Sequence, residues 1–117
     1  DRARYRLRAA EALRQEGDVA AYTELLSEID RERLPAEDLP RLDLLYAELA
    51  LERGEAAAAL ALLIGDPSLL TEELRPRYFE LRARAHAGQK DWLRAARERV
   101  RLDEILQPGP DREANAK

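Results

Sequence analysis

The apolar positions of the chain follow a helical spacing that restarts three times. In each segment a small residue lies seven positions before a turn, and an apolar residue follows the turn two positions later. The small residues are Ala10, Ala47 and Ala83, the turn positions are Gly17, Gly54 and Lys90, and the apolar residues that follow are Val19, Ala56 and Trp92. Because the alanines are 37 and 36 residues apart, the pattern predicts three helical hairpins in series.

A period in the thirties, with a small residue in the first helix and a glycine and an acid at the turn, is typical of tetratricopeptide-like arrays. We therefore expect an all-α array of three hairpins with about six helices in a right-handed superhelix. Residues 1–108 are expected to form this domain. Residues 109–117 are expected to be a flexible tail or the start of a linker to a C-terminal domain outside this sequence.

The first hairpin is predicted over residues 4–16 and 19–29. Gly17 suits the left-handed end of the first helix, and the carboxylate of Asp18 suits the N-cap of the second. Pro35 and Pro40 then interrupt the helical pattern, so the stretch between residues 30 and 40 is expected to be the link between repeats.

The second hairpin is predicted over residues 39–53 and 55–64. Its first helix carries two apolar stripes, made of Leu42, Leu45 and Leu49 and of Leu44, Ala47 and Leu51. Its second helix is apolar on every side from residue 56 to 64, which predicts that it is covered on every side. We therefore expect a sandwiched middle hairpin, with Ala59 and Leu63 in the most buried layer.

The third hairpin is predicted to begin near Thr71 or Pro76. Pro76 either kinks its first helix or occupies the first turn, where a missing N–H costs nothing. The second helix is expected over residues 91–106, and Pro108 and Pro110 end it.

The amino-acid composition limits the kinds of core and the kinds of site that the chain can form. The 117 residues include 21 Leu and 21 Ala with one Phe and no Met, which suits a helical interior of aliphatic side chains. The chain has no Cys, which excludes disulfides and thiolate metal sites. No apolar run approaches the length of a transmembrane helix, and no signal peptide opens the sequence.

The residues that could carry catalysis lack partners. His86 is the only histidine, and no acid lies four positions away on its helical face, so a structural or merely exposed role is expected. The five glycines are isolated, which gives no phosphate-binding loop. Acidic pairs such as Glu72 and Glu73 are most simply solvated helix faces. We therefore expect no enzymatic activity and no catalytic, cofactor or metal site.

Trp92 and the basic third hairpin suggest two kinds of interface. Aromatic anchors dominate interface energetics, but Trp92 starts the second helix of a repeat, where a large core residue is expected. Residues 11–73 contain 16 acids and 5 bases, whereas residues 74–101 contain 9 bases and 3 acids. The third hairpin is therefore basic and the first two are acidic.

The basic hairpin gives a weak alternative function. Arg94, Arg97 and Arg101 share one face of the last helix, as in a nucleic-acid-binding patch. However, Glu98 can pair with Arg94 and Arg101, and the net charge of the chain is −4. A nucleic-acid-binding helical domain is therefore the least favoured function, and no nucleic-acid partner is expected.

The repeat register predicts a partner-binding surface. The positions six before and one after each reference alanine line the concave surface of such arrays. They hold Arg4, Arg41 and Arg77, and Glu11, Glu48 and Arg84. Arginine suits carboxylate recognition because its guanidinium is a planar fork. Salt bridges between neighbouring first helices are an equally good interpretation of the same residues.

Three segments carry a family resemblance, in this order: RYRLRAAEALRQEGD, then RLDLLYAELALERGE with ALALL, then RPRYFELRARAHAGQKDWLRAARERVRLDEIL. Together they cover about residues 4 to 106. Their order and spacing resemble the N-terminal domain of the LpoA (LppC) lipoproteins, which activate a class A penicillin-binding protein. The resemblance rests on spacing, including the closing arginine-rich helix, and not on a catalytic motif.

The resemblance implies an outer-membrane lipoprotein that faces the periplasm and takes part in peptidoglycan synthesis. In that family a C-terminal domain of periplasmic-binding-protein type contacts and stimulates the synthase, and the lipid anchor provides the membrane attachment. By this resemblance, the segment is a non-catalytic arm that acts as a spacer and binds protein. Peptidoglycan is a further candidate ligand, and no cofactor is expected. The alternative is a cytoplasmic tetratricopeptide-like adaptor with an unrelated client.

Overall fold

Six α-helices form three helical hairpins in the computed structural model, which describes residues 2–107. The helices are α1 Arg2–Glu16, α2 Val19–Ser27, α3 Leu39–Glu52, α4 Ala56–Leu62, α5 Arg75–Gly88 and α6 Trp92–Leu106. No strand occurs within this range. The expected all-α array is confirmed, and the right-handed superhelix stays a prediction. The predicted stop at Pro108 and Pro110 and the tail at residues 109–117 lie outside the described residues.

All three hairpins close with the same turn. The turn residues Gly17, Gly54 and Lys90 have positive φ angles of 79°, 73° and 62°. After each of them the next backbone amide donates to the carbonyl five positions earlier. These bonds are Asp18 to Leu13 at 3.0 Å, Glu55 to Ala50 at 2.8 Å and Asp91 to His86 at 2.9 Å. The left-handed helix end predicted at Gly17 is therefore present, and Gly54 and Lys90 adopt the same backbone conformation.

The links between hairpins contain short 3-10 turns. Residues Arg31–Arg33 and Ala36–Asp38 form two of them before α3, and Pro67–Leu69 forms one before α5. Pro76 lies in the first turn of α5, where its missing N–H is tolerated. Of the two alternatives for Pro76, the first-turn position is the observed one.

Helix α3 lies between two hydrophobic cores. One core joins α3 to the first hairpin, and the other joins it to α4 and the third hairpin. Residues Leu42, Leu45 and Leu49 belong to the first core, and Leu44, Ala47 and Ala50 to the second, with Leu51 packed beside it. The two apolar stripes predicted for this helix are confirmed, and each stripe serves a different core.

The prediction that the helix after residue 56 is covered on every side is wrong. Ala59 and Leu63 are buried as expected, with 0% and 1% exposure, but Leu62 is 36% and Ile64 76% exposed. The alanines at 57, 58 and 61 are also exposed. Alanine favours a helix whether or not it is covered, so an apolar sequence here does not require burial. The sandwiched element of the middle hairpin is α3.

The prediction that Trp92 packs in the core is also wrong, because its side chain is 65% exposed. The core-facing side of α6 carries Ala95, Glu98, Leu102 and Ile105. Trp92 points to the outer side of α6, which no further helix of residues 2–107 covers.

None of the helices in the described range combines the length and the apolar composition needed to cross a membrane.

Candidate partner-binding site

The first helices of the three hairpins bring the predicted arginine row together. Arg77 Nη1 lies 2.9 Å from Glu11 Oε1, which links α5 to α1. Arg41 Nη1, on α3, lies 3.9 Å from the same oxygen. Arg4 pairs with Asp38 at 2.9 Å, in the link that precedes α3. These charged side chains therefore form one row across the first helices, which we call the first-helix row.

Glu11 is the centre of the first-helix row. Its Oε1 faces Arg41 and Arg77, and its Oε2 lies 3.4 Å from Arg14 Nε on its own helix. The Glu11 side chain is only 12% exposed, so its contacts are partly shielded from water. One carboxylate thus connects all three first helices.

Glu48 makes a second connection between the first helices. It lies 3.5 Å from Arg14 Nη1 on α1 and 3.8 Å from Arg84 Nη1 on α5. Arg84 also approaches Glu52 at 3.9 Å. The six residues predicted for this surface lie on the first helices. Glu11 and Glu48 pair with arginines of other first helices. The shortest ion pairs of Arg4 and Arg41 instead reach Asp38 and Glu73 in the links. Their use by a partner stays a prediction.

The accessible part of the row is a small cleft of about 260 Å³ at its α1 end. It is lined by Arg4, Leu7, Arg8, Glu11, Asp38 and Arg41. Arg77 contributes little to binding from solvent, because its side chain is 19% exposed and its Nε and Nη2 are buried. Arg8 is exposed and forms no ion pair with any residue in the described range. It is therefore the arginine most available to a ligand.

The guanidinium of Arg41 is already paired with the carboxylate of Glu73. Its Nη1 and Nη2 donate to Glu73 Oε1 and Oε2 at 3.1 and 3.0 Å, a two-point contact. The hydrogen bonds from Arg41, and then its charge, lower the pKa of Glu73 below its ordinary value. The same contact raises the pKa of Arg41. A competing carboxylate must therefore displace Glu73 to use both Arg41 donors.

His86 is a buried residue of α5. Its side chain is 5% exposed, so the alternative of a merely exposed histidine is wrong. Neither Nδ1 nor Nε2 has a hydrogen-bond partner among residues 2–107. No group of three potential metal ligands occurs in the part of the chain that the structure describes.

Several residues of the site were not among the sequence-predicted ones, including Arg14 of α1, which pairs with Glu11 and Glu48. Arg8 lies one helical turn after Arg4, so the spacing of four residues could have identified it. Asp38 and Glu73 precede α3 and α5, where the chain has no helical period. No signal in the sequence assigns them to the row, because their placement depends on the path of the links.

Comparison with known proteins gives one match. The protein-family model described as "LppC putative lipoprotein" matches residues 1–117. Searches of curated proteins and of solved structures found no match to the chain. The family match includes all three segments that carry the resemblance to LpoA (LppC) lipoproteins.

Proposed function

The chain belongs to the LppC lipoprotein family, and from this membership we propose that it is the helical arm of an outer-membrane lipoprotein that faces the periplasm. The whole lipoprotein activates a class A penicillin-binding protein in peptidoglycan synthesis. In this proposal the arm binds protein and acts as a spacer. The main contact with the synthase comes from a C-terminal domain outside this sequence.

The observation that carries the proposal is the first-helix row. Glu11 reaches Arg41 and Arg77, and Glu48 reaches Arg14 and Arg84, so ion pairs connect the first helices of three consecutive hairpins. Repeat arrays commonly use such an extended surface to meet a partner at several repeats at once. A row held in place by its own ion pairs presents this surface with little ordering cost.

The chemistry of the row indicates a partner that carries carboxylates. Arg4, Arg8 and Arg41 surround a cleft that contains only two acids, Glu11 and Asp38. A guanidinium fork matches a carboxylate through two parallel hydrogen bonds. The partner group is then an acidic protein segment, a peptide terminus or the stem of peptidoglycan.

We also propose that the domain has no hydrolase or transferase activity. The support is that His86 is buried without a hydrogen-bonding partner in the described range, in a chain without cysteine. The purified chain is expected to give no turnover with peptidoglycan or muropeptide substrates. Turnover that disappears in the His86→Ala variant would contradict this.

Binding of the chain to the class A penicillin-binding protein by surface plasmon resonance tests the protein-binding role. Arg8→Glu is the most informative variant because Arg8 has no ion pair to lose within residues 2–107, whereas a glutamate at Arg41 would lie beside Glu11 and Glu73. Reversing this charge should weaken binding about tenfold, which corresponds to about 1.4 kcal/mol.

The matched control is Arg99→Glu, since Arg99 is exposed on α6 and makes no ion pair in the described range. It should leave the dissociation constant within about twofold, because a distant exposed charge changes little. Both variants should keep the melting temperature of the wild type. Equal weakening by the two variants, or no binding by the wild-type chain, would overturn the protein-binding role.

A further inference from the structure

A second cleft lies between α5 and α6. Its volume is about 570 Å³, within the range of small-molecule sites. It is lined by Arg82, His86, Arg94, Arg97, Glu98, Val100, Arg101 and Glu104. None of these residues belongs to the first-helix row.

The mouth of the cleft has an excess of positive charge. Its lining contains four arginines and two glutamates. Arg97 and Arg101 form no ion pair with any residue from 2 to 107, although the Arg101 guanidinium lies 5.9 Å from the centre of the Phe79 ring. Arg94 is partly neutralised by Asp91, which lies 3.5 Å away. Two guanidinium groups therefore remain free to bind an anion from solvent.

The floor of the cleft contains polar atoms without partners. His86 is 5% and Glu98 9% exposed. Both His86 ring nitrogens and Glu98 Oε2 are buried and form no hydrogen bond within the described part of the chain. Buried polar atoms without partners cost free energy, so a ligand that accepts a hydrogen bond from the His86 imidazole would gain from binding here. Glu98 Oε2 is an acceptor and gains no partner from an anion.

Arg82 is not one of the free cations. It lies 3.3 Å from Glu98 Oε1 and donates to the backbone carbonyl of Leu63. Its guanidinium also lies 5.6 Å from the centre of the Tyr78 ring. Arg82 therefore holds Glu98 in place and neutralises it, which leaves the mouth of the cleft positive.

We propose that this cleft binds a small oxyanion with two negative charges, namely a phosphate group or a dicarboxylate. Arg97 and Arg101 would each donate to its oxygens, since guanidinium groups bind both kinds of anion through paired N–H donors. The imidazole of His86 supplies a further donor from the floor. This site goes beyond the protein-binding role and does not depend on it.

A pair of titrations by NMR tests the proposal. The chain is titrated with inorganic phosphate and, separately, with succinate at neutral pH and constant ionic strength. The site predicts saturable shifts of the Arg97 and Arg101 Nε–H signals together with the His86 Cε1–H signal. If phosphate alone saturates the shifts, the cleft is a phosphate site. If succinate alone saturates them, it is a dicarboxylate site. Saturation by both probes means that the site selects its anion by charge and size.

The Arg97→Gln variant, with Arg99→Gln as its control, makes the test specific. Both arginines are exposed on α6, but only Arg97 lines the cleft, so both variants should keep the circular dichroism of the wild type. Arg97→Gln should weaken binding of the active probe about tenfold, the expected loss for a hydrogen bond to a charged group. Arg99→Gln should not weaken it.

Three results would overturn the site. They are no saturation with either probe, shifts that are as large at Arg99 as at Arg97, and an unchanged affinity in Arg97→Gln.

Discussion

Three residues must adopt a left-handed backbone to close the hairpins, and only two of them are glycine. Gly17 and Gly54 adopt positive φ easily because they lack a Cβ atom. Lys90 holds a φ of 62° with a side chain present, which costs free energy in every L-residue with a side chain. The third turn is therefore the least favourable of the three at the residue scale.

Lys90→Gly should stabilise the domain by about 0.5 kcal/mol, because relief of the left-handed strain exceeds the added entropy of the unfolded chain. The reverse change, Gly54→Ala, should destabilise it by about 1 kcal/mol. A Cβ atom at Gly54 meets nothing within 4 Å, so this variant tests backbone conformation alone. Urea denaturation measures both effects, and a destabilising Lys90→Gly would contradict the strain.

Glu73 provides a test of the Arg41 contact. Its pKa is lowered in the folded chain from an ordinary value of 4.5. The folded state therefore holds this proton less tightly than the unfolded state does. The contribution of Glu73 to stability is complete above pH 4.5 and is lost as the pH falls through the lower folded pKa.

NMR titration of the Glu73 carboxyl carbon should give a pKa below 4.5 in the wild type and a value near 4.5 in Arg41→Gln. An unshifted value in the wild type would show that Arg41 is free in solution.

At the scale of helices, α3 and α4 show what sequence patterns can and cannot predict. The two stripes of α3 pack into different cores because their side chains project from two different sides of the helix. The spacing of the apolar residues alone predicts these two directions. The run of alanines in α4 is ambiguous because alanine is compatible with both burial and exposure. The burial of α4 could therefore not be predicted without knowing what packs on it.

Leu63 and Leu62 form a matched pair for testing the burial of the α4 region. Leu63→Ala should cost about 2–5 kcal/mol, because it empties a buried position. Leu62→Ala should cost less than about 1 kcal/mol, since its side chain already contacts water. The difference between their free energies of unfolding in urea is the measurement. Equal losses would mean that α4 is covered on both sides.

Part of the first-helix row on the helices was predictable, without Arg8 and Arg14, but its residues in the links were not. Glu11, Glu48 and the three arginines of the row follow from the repeat register, because equivalent positions of successive first helices lie on one surface. Asp38 and Glu73, which pair with Arg4 and Arg41, lie where no period applies. The repeat register could predict the positions of Arg4 and Arg41, but it could not predict that Asp38 and Glu73 form ion pairs with them.

In the whole molecule, the shared helix α3 should make the two cores cooperative. Leu45 is buried in the first core and Leu44 in the second, on adjacent positions of one helix. In a repeat array, stability depends on the interfaces between neighbouring units. Loss of packing on one side of α3 should therefore destabilise the helices on its other side.

Leu44→Ala should lower the free energy of unfolding by about 2–5 kcal/mol. It should also speed amide hydrogen exchange in α1 and α2, although their buried residues belong to the first core and Leu44 belongs to the second. Native-state hydrogen exchange measures both effects. Faster exchange limited to α4, α5 and α6 would show that the first hairpin is an independent unit.

The proposed role of the first-helix row is tested most directly in the full-length lipoprotein together with the class A penicillin-binding protein that we propose as its partner. The measurement is the rate of glycan-strand synthesis by the class A penicillin-binding protein at increasing concentrations of wild-type lipoprotein or of the Arg8→Glu, Arg41→Gln double variant. The half-stimulating concentration should rise about tenfold. The maximal rate should stay the same, because in the proposed function the main contact comes from a C-terminal domain outside this sequence. Superimposable curves would contradict the proposal, and the row would then serve only to hold the first helices together.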